Sequence, residues 1–566
     1  MCSETLPTLA IPTSLYASLM ARLDRLSPVK EVAQIGAAVG REFSYELIAA
    51  LARRSGAQLN DALEQLVSSG LVFRRGTTPN QSFIFKHALV QDAAYNSLLR
   101  RQRQELHARI GRVLEAQFPE IVSIQPETLA HHYTQAGFAD IAIDYWRKAG
   151  ERALRRSANV EGVTHLTRAI ELIRSLPADR ARNRRELDLH LALAQMMRAS
   201  EGYASAETLR IFARARDLLD DEAAVSERTT VLYGLWSVHY VRAEHAAARQ
   251  VALQCLRLAE EHPSTDAAAL AHMLMGCSLW AMGDFVDGRR HLEQTRKVSG
   301  IDKDGVLVSR FSQNNVLAAL SYLSWTLWPL GYPEQAVAAA REAVRHARRT
   351  GHVPLTAYVL FVEAFLGTAF GAEGEGLRTR ADDAVAYCVE HRVTAYEHWA
   401  RFCQGIALAR SDDPGNAIEI MRDAMNASEK INAVFLRPLH LAHLASANMS
   451  MGQSQVALDL LDQATGIVRA SEEQFFAAEL HRLKGQAILQ IGGDGEAELQ
   501  RALTIARGQA ARLWELRAVV SLAQLRRDQG RHAEAHDVIA PVYGWFTEGF
   551  DTPDLKEAKA LLEELR

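Results

Sequence analysis

A loop that cradles phosphates needs spaced glycines, a lysine and a hydroxyl residue ahead of a helix. No GxxxxGK[ST] pattern occurs in this chain. The glycine-rich stretch Gly492-Gly493-Asp494-Gly495 lacks the lysine and lies between helical stretches, so it reads as a turn. No GxGxxG follows a strand-like run. The chain alone is therefore not expected to hydrolyse ATP. Zinc chemistry fares no better, for there is no HExxH and no Cys/His cluster at ligand spacing. His131 and His132 are adjacent and leave a helix on different sides. His391 and His398 lie two turns apart, too far to chelate, and all four are expected to be core or surface histidines. Asp220-Asp221, Asp382-Asp383 and Asp412-Asp413 are expected at helix ends or turns, where carboxylates act as caps. No GxSxG elbow is present. The five cysteines, Cys2, Cys255, Cys277, Cys388 and Cys403, are odd in number and form no CxxC pair. That excludes a disulfide framework and implies a reducing, cytoplasmic setting. No catalytic residue, metal ligand or cofactor is expected.

What elements carry these residues? A chain of 566 residues exceeds one ordinary core. It is 48% hydrophobic and holds only 15 prolines, a helical composition. No basic stretch followed by an apolar run opens it, so no signal peptide is expected. Residues 353–372 are apolar, but Glu363 sits among them and Pro354 near their start. A buried helix is expected there rather than a membrane span.

Net charge is −4 overall, with +4 in residues 1–118 and −8 in the remainder. The two parts also differ in pattern. Residues 1–11 read as a tail. Helices are expected over 14–26, 29–39, 44–54 and 58–69, and Gly70 ends the last. Residues 71–75 and 82–86 are strand-like runs flanking Gly76-Thr77-Thr78-Pro79-Asn80, which predicts a hairpin at about 71–86. Helical spacing returns over 87–99. Helices followed by one hairpin, over 12–100, predict a winged-helix-like module, and 101–125 a helical junction. DNA binding is not expected of it. The helix before the hairpin carries Asp61 and Glu64 and no Lys or Arg, poor chemistry for a phosphate-lined groove. Arg74, Arg75, Arg100, Arg101 and Arg103 are expected to form a solvated basic face.

From Pro126 to the end a pattern recurs in place of strands. A residue pair is followed by a bulky residue three later, then by a small residue thirteen after the first of the pair, and then by a fourth residue. Met275-Gly276, Leu279, Gly288 and Leu292 show it, as do Gln404-Gly405, Leu408, Ala417 and Met421. Small residues let the next helix approach, and the large ones fill the space beside it. Turns are marked at 281–284, 329–332, 450–453 and 528–531. Gly288 and Ala336 stand 48 apart, and Ala417 and Ala457 stand 40 apart. Tetratricopeptide units repeat at about 34 residues, so helices longer than theirs are expected. The fold class is mainly α, with a tetratricopeptide-like solenoid over 126–566. Each unit should contact only its neighbours. The concave face is expected to bind a protein or peptide.

The run from Phe85 to Tyr95 (FKHALVQDAAY) resembles the segment closing the winged helix of signal-transduction ATPases with numerous domains. Pro12-Thr13-Ser14-Leu15, the run from Ala21 to Leu26 and Gly40-Arg41-Glu42-Phe43 resemble the same family upstream. Leu129-Ala130-His131-His132-Tyr133, the run from Tyr145 to Gly150, Arg156-Ser157-Ala158-Asn159 and the run from Tyr543 to Lys559 continue the match. Together they are similar to the C-terminal half of bacterial proteins that join a class III adenylate/guanylate cyclase, an AAA-type ATPase and tetratricopeptide repeats. The cyclase and P-loop residues of that layout are not in this chain, so those activities do not carry over. The resemblance implies a non-catalytic regulatory module, with a P-loop ATPase or cyclase domain as partner in cis or in trans. In the related ATPases a Met-His-Asp motif places its His on the bound nucleotide. His87 stands at that position, with Ala88 in place of the Asp, and is the one candidate nucleotide contact. Two alternatives remain: a transcriptional regulator with a sensor solenoid, and the truncated back half of a cyclase or ATPase.

Overall fold

The computed structural model describes residues 20–25, 29–77, 81–156, 158–201, 204–299, 314–371, 376–410 and 413–566. Contacts divide the chain into two units, Met1–Met196 and Met197–Arg566.

The first unit opens with short elements. Residues 20–25 are helical, and the rest of the helix expected over 14–26 lies outside the described residues. Next come α1 (Lys30–Val39), β1 (Glu42–Ser44), α2 (Tyr45–Leu51), α3 (Gly56–Ser68), β2 (Val72–Arg75), β3 (Ser82–Phe85), α4 (Ala88–Asn96) and α5 (Arg100–Gln117). A reciprocal cap starts α3: the Gln58 N–H donates to the Ser55 hydroxyl, and the Ser55 N–H donates to the Gln58 side chain. β2 and β3 pair antiparallel, with Val72 opposite Phe85. The turn residues 78–80 lie outside the described residues. A helix was expected over 44–54, but β1 precedes it and pairs with β3, Phe43 facing Phe83. Three residues carry no alternation to read, so a buried ring fixes this strand instead. Phe43 is buried 5.8 Å from Phe83 and 5.6 Å from Phe85. Gly36 of α1 makes the room, since a Cβ there would lie 2.5 Å from the Phe43 ring. The unit continues as α6 (Pro119–Ile124), α7 (Pro126–Ala136), α8 (Ala139–Arg155), α9 (Asn159–Arg174) and α10 (Arg180–Glu201), within which the unit boundary falls.

The second unit is an array of antiparallel helix pairs. After α11 (Ala206–Asp217) come α12 (Val225–Val241) with α13 (His245–Glu261), and α14 (Thr265–Ala281) with α15 (Phe285–Val298). Then come α16 (Asn315–Leu327) with α17 (Pro333–Thr350), α18 (Val353–Phe370) with α19 (Leu377–Glu390), and α20 (Thr394–Ala409) with α21 (Pro414–Lys430). α22 (Arg437–Ser450) with α23 (Ser454–Ser471), α24 (Ala477–Gln490) with α25 (Glu496–Gly508), α26 (Arg512–Asp528) with α27 (His532–Tyr543), and α28 (Pro553–Glu564) complete it. The glycine of each pattern meets the bulky residue of the next helix. A Cβ on Gly276 would lie 2.6 Å from Leu292 Cγ, and one on Gly405 would lie 2.6 Å from Met421 Cγ. Turns at Gly283, Gly331, Gly452 and Gly530 take φ of 80°, 91°, 75° and 76°, where a side chain is strained.

The two helices of a pair differ. α15 buries only Phe285, Gly288, Leu292 and Thr295, one stripe of its surface. α14 is buried along nearly its whole length and all round, and so are α16 and α18. A helix apolar all round must be covered on both sides. The second cover comes from far along the chain. The Phe435 N–H donates to the Val241 carbonyl at 3.0 Å, Phe475 N–H to Ala281 at 3.1 Å and Leu513 N–H to Pro329 at 2.9 Å. Val241 and Ala281 end α12 and α14, and Pro329 lies in the turn just after α16, where carbonyls lack partners within the helix. Trp280 stacks on Phe475 at 4.2 Å, and Phe370 meets Trp514 edge-on. The expectation that each repeat touches only its neighbours is thus corrected: the array closes on itself. Its inner helices are too apolar to face water.

α18 is the one described helix long and apolar enough to cross a membrane, and 78% of that stretch is buried inside the protein. It sits as a core helix.

Candidate functional site

The inner wall of the second unit changes character along the array. Its first half is aromatic. α12 presents Tyr233, Trp236 and Tyr240, and α16 presents Tyr322 and Trp325. α18 adds Tyr358 and Phe361, and α20 adds Tyr396 and Trp399. Phe435, just ahead of α22, closes the far side of a cavity of about 90 Å³. The rings form a circuit. Tyr240 lies 6.0 Å from Tyr322, Tyr322 5.0 Å from Trp325, and Trp325 5.9 Å from Phe361. Phe361 stacks on Trp399 at 5.6 Å, Trp399 lies 6.4 Å from Phe435, and Phe435 lies 4.8 Å from Tyr240. Where α14 passes, Met273 and Cys277 stand instead of rings. The Tyr240 hydroxyl donates to the Cys277 carbonyl at 3.3 Å. Burial pushes the Tyr240 and Tyr322 hydroxyls far above the ordinary tyrosine range, so both stay neutral.

The second half of the wall is polar and lines a cavity of about 320 Å³. Three inner helices contribute residues at i, i+3 and i+7, one face of each helix. These are His443, Ser446 and Ser450 on α22, Glu479, Arg482 and Gln486 on α24, and Arg517, Val520 and Gln524 on α26. Arg517 organises the site. Its Nε and Nη2 donate to the two oxygens of Asp554 at 2.7 and 3.0 Å, and its Nη1 donates to Glu479 at 3.1 Å. Its Nη2 also donates to the Phe370 carbonyl at 2.7 Å, satisfying the end of α18. Burial works against the Arg517 charge, but Asp554 and Glu479 hold its pKa above the usual value. Burial likewise pushes the Glu479 carboxyl up, yet Arg482 and Arg517 outweigh it and hold it below the carboxylate range. Gln486 donates to Ser521, and Gln524 to Glu557. His443 keeps a buried Nε2 without a hydrogen-bond partner, and burial pushes its pKa down to about 3. Such a wall can accept and donate hydrogen bonds along several helical turns, with charge held in fixed places.

No family model matches the chain. An uncharacterized protein of Rhizobium meliloti (strain 1021) is 23% identical over 521 residues, covering 90% of this chain and 50% of its own length. The chain thus spans about half the length of the curated relative it matches. Among solved structures, a Rap protein complexed with competence and sporulation factor is 9% identical, with a TM-score of 0.47 over 66% of this chain and 99% of its own. The hetero-tetramer Cut9–Hcn1 of APC/C is 12% identical, with a TM-score of 0.44 over 96% and 98%. A signal transduction ATPase with numerous domains and a tetratricopeptide repeat sensor, from Pyrococcus horikoshii, is 13% identical, with a TM-score of 0.33 over 85% and 63%.

The residues singled out in the sequence are scattered. His87 is exposed at the start of α4 and makes no capping hydrogen bond with its side chain. His132 and His107 are buried, their Nδ1 atoms 2.8 Å apart, and Tyr95 meets His107 Nε2 at 2.9 Å. His398 is buried against Trp399, while His391 lies against Tyr387. No cluster of three metal-ligating groups occurs among the described residues. Asp413 caps α21 through the Asn416 N–H, whereas Asp382 lies inside α19 and accepts from Gln404. The carboxylate at Asp382 is therefore not a cap but a tie between helices. Arg74 pairs with Glu64, Arg101 with Glu105, and Arg103 donates to the Asn96 and Leu98 carbonyls. Cys255, Cys277, Cys388 and Cys403 are buried free thiols.

The aromatic wall was missed in the sequence. Its signal is a repeated Tyr-x-x-Trp/Phe: Tyr233 to Trp236, Tyr322 to Trp325, Tyr358 to Phe361 and Tyr396 to Trp399.

Proposed function

We propose that this chain is a non-catalytic regulatory module of a signal-transduction ATPase or cyclase system. In this reading the helical array binds a protein or peptide, and the winged-helix-like module over 12–100 couples that binding to a nucleotide-binding domain in cis or in trans. The observation that carries it is the polar half of the inner wall. Three inner helices, α22, α24 and α26, present hydroxyl, amide and charged groups there at one-face spacing beside a cavity of about 320 Å³. An extended polypeptide needs partners for its main-chain N–H and C=O at regular intervals, and such a wall supplies them. His87, exposed at the N-terminus of α4, is the proposed contact to a nucleotide held by the other domain. The DNA-binding alternative is disfavoured by the acidic α3 and by the protein partners that Arg74, Arg101 and Arg103 already have.

A photoreactive amino acid placed at Ser450 or Gln524 in native cells tests the reading. A discrete polypeptide should cross-link at both inner positions, not at exposed Val160, and Arg482→Glu should abolish it. Equal labelling at Val160, or none at either inner position, would overturn it.

A further inference from the structure

The aromatic half of the wall has chemistry that a polypeptide partner does not require. We propose that its cavity is a binding site for a quaternary ammonium group.

Ten of the fifteen residues lining the cavity are aromatic, and eight of these are tyrosine or tryptophan. A pocket shaped only for apolar ligands has no reason to avoid leucine and isoleucine, yet neither lines this one. Tyr and Trp rings have electron-rich faces that attract a cation. The circuit of Tyr240, Tyr322, Trp325, Phe361, Trp399 and Phe435, four of them tyrosine or tryptophan, lines the space.

The absence of charge among the lining residues selects the kind of cation. An anion would enter without a counter-charge and face the negative ring faces. A primary ammonium would bring three N–H donors into a wall whose side-chain acceptors are hydroxyls with no carboxylate among them, and each donor left unpaired is costly. A quaternary ammonium has no N–H to satisfy. Its charge is spread over methyl groups, which gain contact with the rings as they leave water. A space of about 90 Å³ suits one such head group. The half-buried Tyr358 and Tyr396, 5.4 Å apart, stand less covered than the other rings and leave room for a substituent to trail out.

The proposal stands apart from the polypeptide reading and is tested separately. Choline and tetramethylammonium are titrated calorimetrically into the full 566-residue chain, alongside 3,3-dimethyl-1-butanol, the uncharged carbon counterpart of choline. Both cations should bind saturably, and the alcohol about tenfold more weakly or worse. Tyr358→Leu with Tyr396→Leu should weaken choline binding about tenfold while leaving the thermal unfolding midpoint unchanged. Tyr358→Phe with Tyr396→Phe, which keeps both rings, should retain most of it. Absence of saturable binding at millimolar choline would overturn the proposal. So would equal binding of the alcohol, or full binding by a folded Tyr-to-Leu variant.

Discussion

Histidine carries much of the buried polarity in this protein. Burial, with His131 and Arg103 adding to it, pushes His107 down to about 4. Burial and the two neighbouring histidines push His132 down to about 3. In the unfolded chain both titrate near 6.5. The unfolded state therefore takes up protons first as pH falls, and stability is lost from about pH 6.5 downward toward the folded values. His398, pushed down to about 4 by burial, acts in the same direction in the second unit. The thermal unfolding midpoint should fall between pH 6.5 and pH 4, and His132→Leu should flatten the slope while lowering the midpoint at pH 7.5. A slope unchanged by that substitution would contradict this assignment. The adjacent histidines read as core or surface residues because their spacing suits no metal, and of the two only His132 is buried. Their partner was not legible, since His107 lies 25 residues earlier on another helix.

Elements are joined through small residues, and this was the most readable part of the sequence. The pattern placed Gly276 beside Leu292 and Gly405 beside Met421 because a missing side chain on one helix must be filled from the next. The glycines differ sharply in consequence. Gly276→Ala puts a methyl group 2.6 Å from Leu292 Cγ, and overpacking of this kind costs about 1–3 kcal/mol. That outweighs the gain in helix propensity of about 1 kcal/mol. Gly466 lies inside α23 with nothing within 4 Å of a built Cβ. Gly466→Ala should therefore stabilise by about 0.5–1 kcal/mol, the propensity gain alone. Chemical denaturation of the two variants should give opposite signs. Equal effects would mean that α14 and α15 are not held as close as described. β1 was not legible for the opposite reason. Three residues give no period, and Phe43 is fixed by rings that come 40 residues later.

For the whole molecule, local rules fall short in one specific way. Period and anchors specify each helix pair and its neighbour, so an open array was the natural expectation. The inner helices contradict it by composition: α14, α16 and α18 are apolar all round and cannot line an open groove. What covers them lies far along the chain, in the loops at Phe435 and Phe475 and at the start of α26, and the sequence there shows no local sign of it. The closed wall divides into an aromatic half and a polar half, and both proposed sites depend on that closure. Amide hydrogen exchange at Phe435, Phe475 and Leu513 tests it most directly. These residues sit outside or at the edge of helices, yet each N–H donates to a carbonyl of the other half at 3.0, 3.1 and 2.9 Å. Slow exchange, comparable with amides inside α14, is the outcome that a closed array requires. Exchange at the rate of exposed loops would show that the array stands open and would remove the wall on which both sites are built.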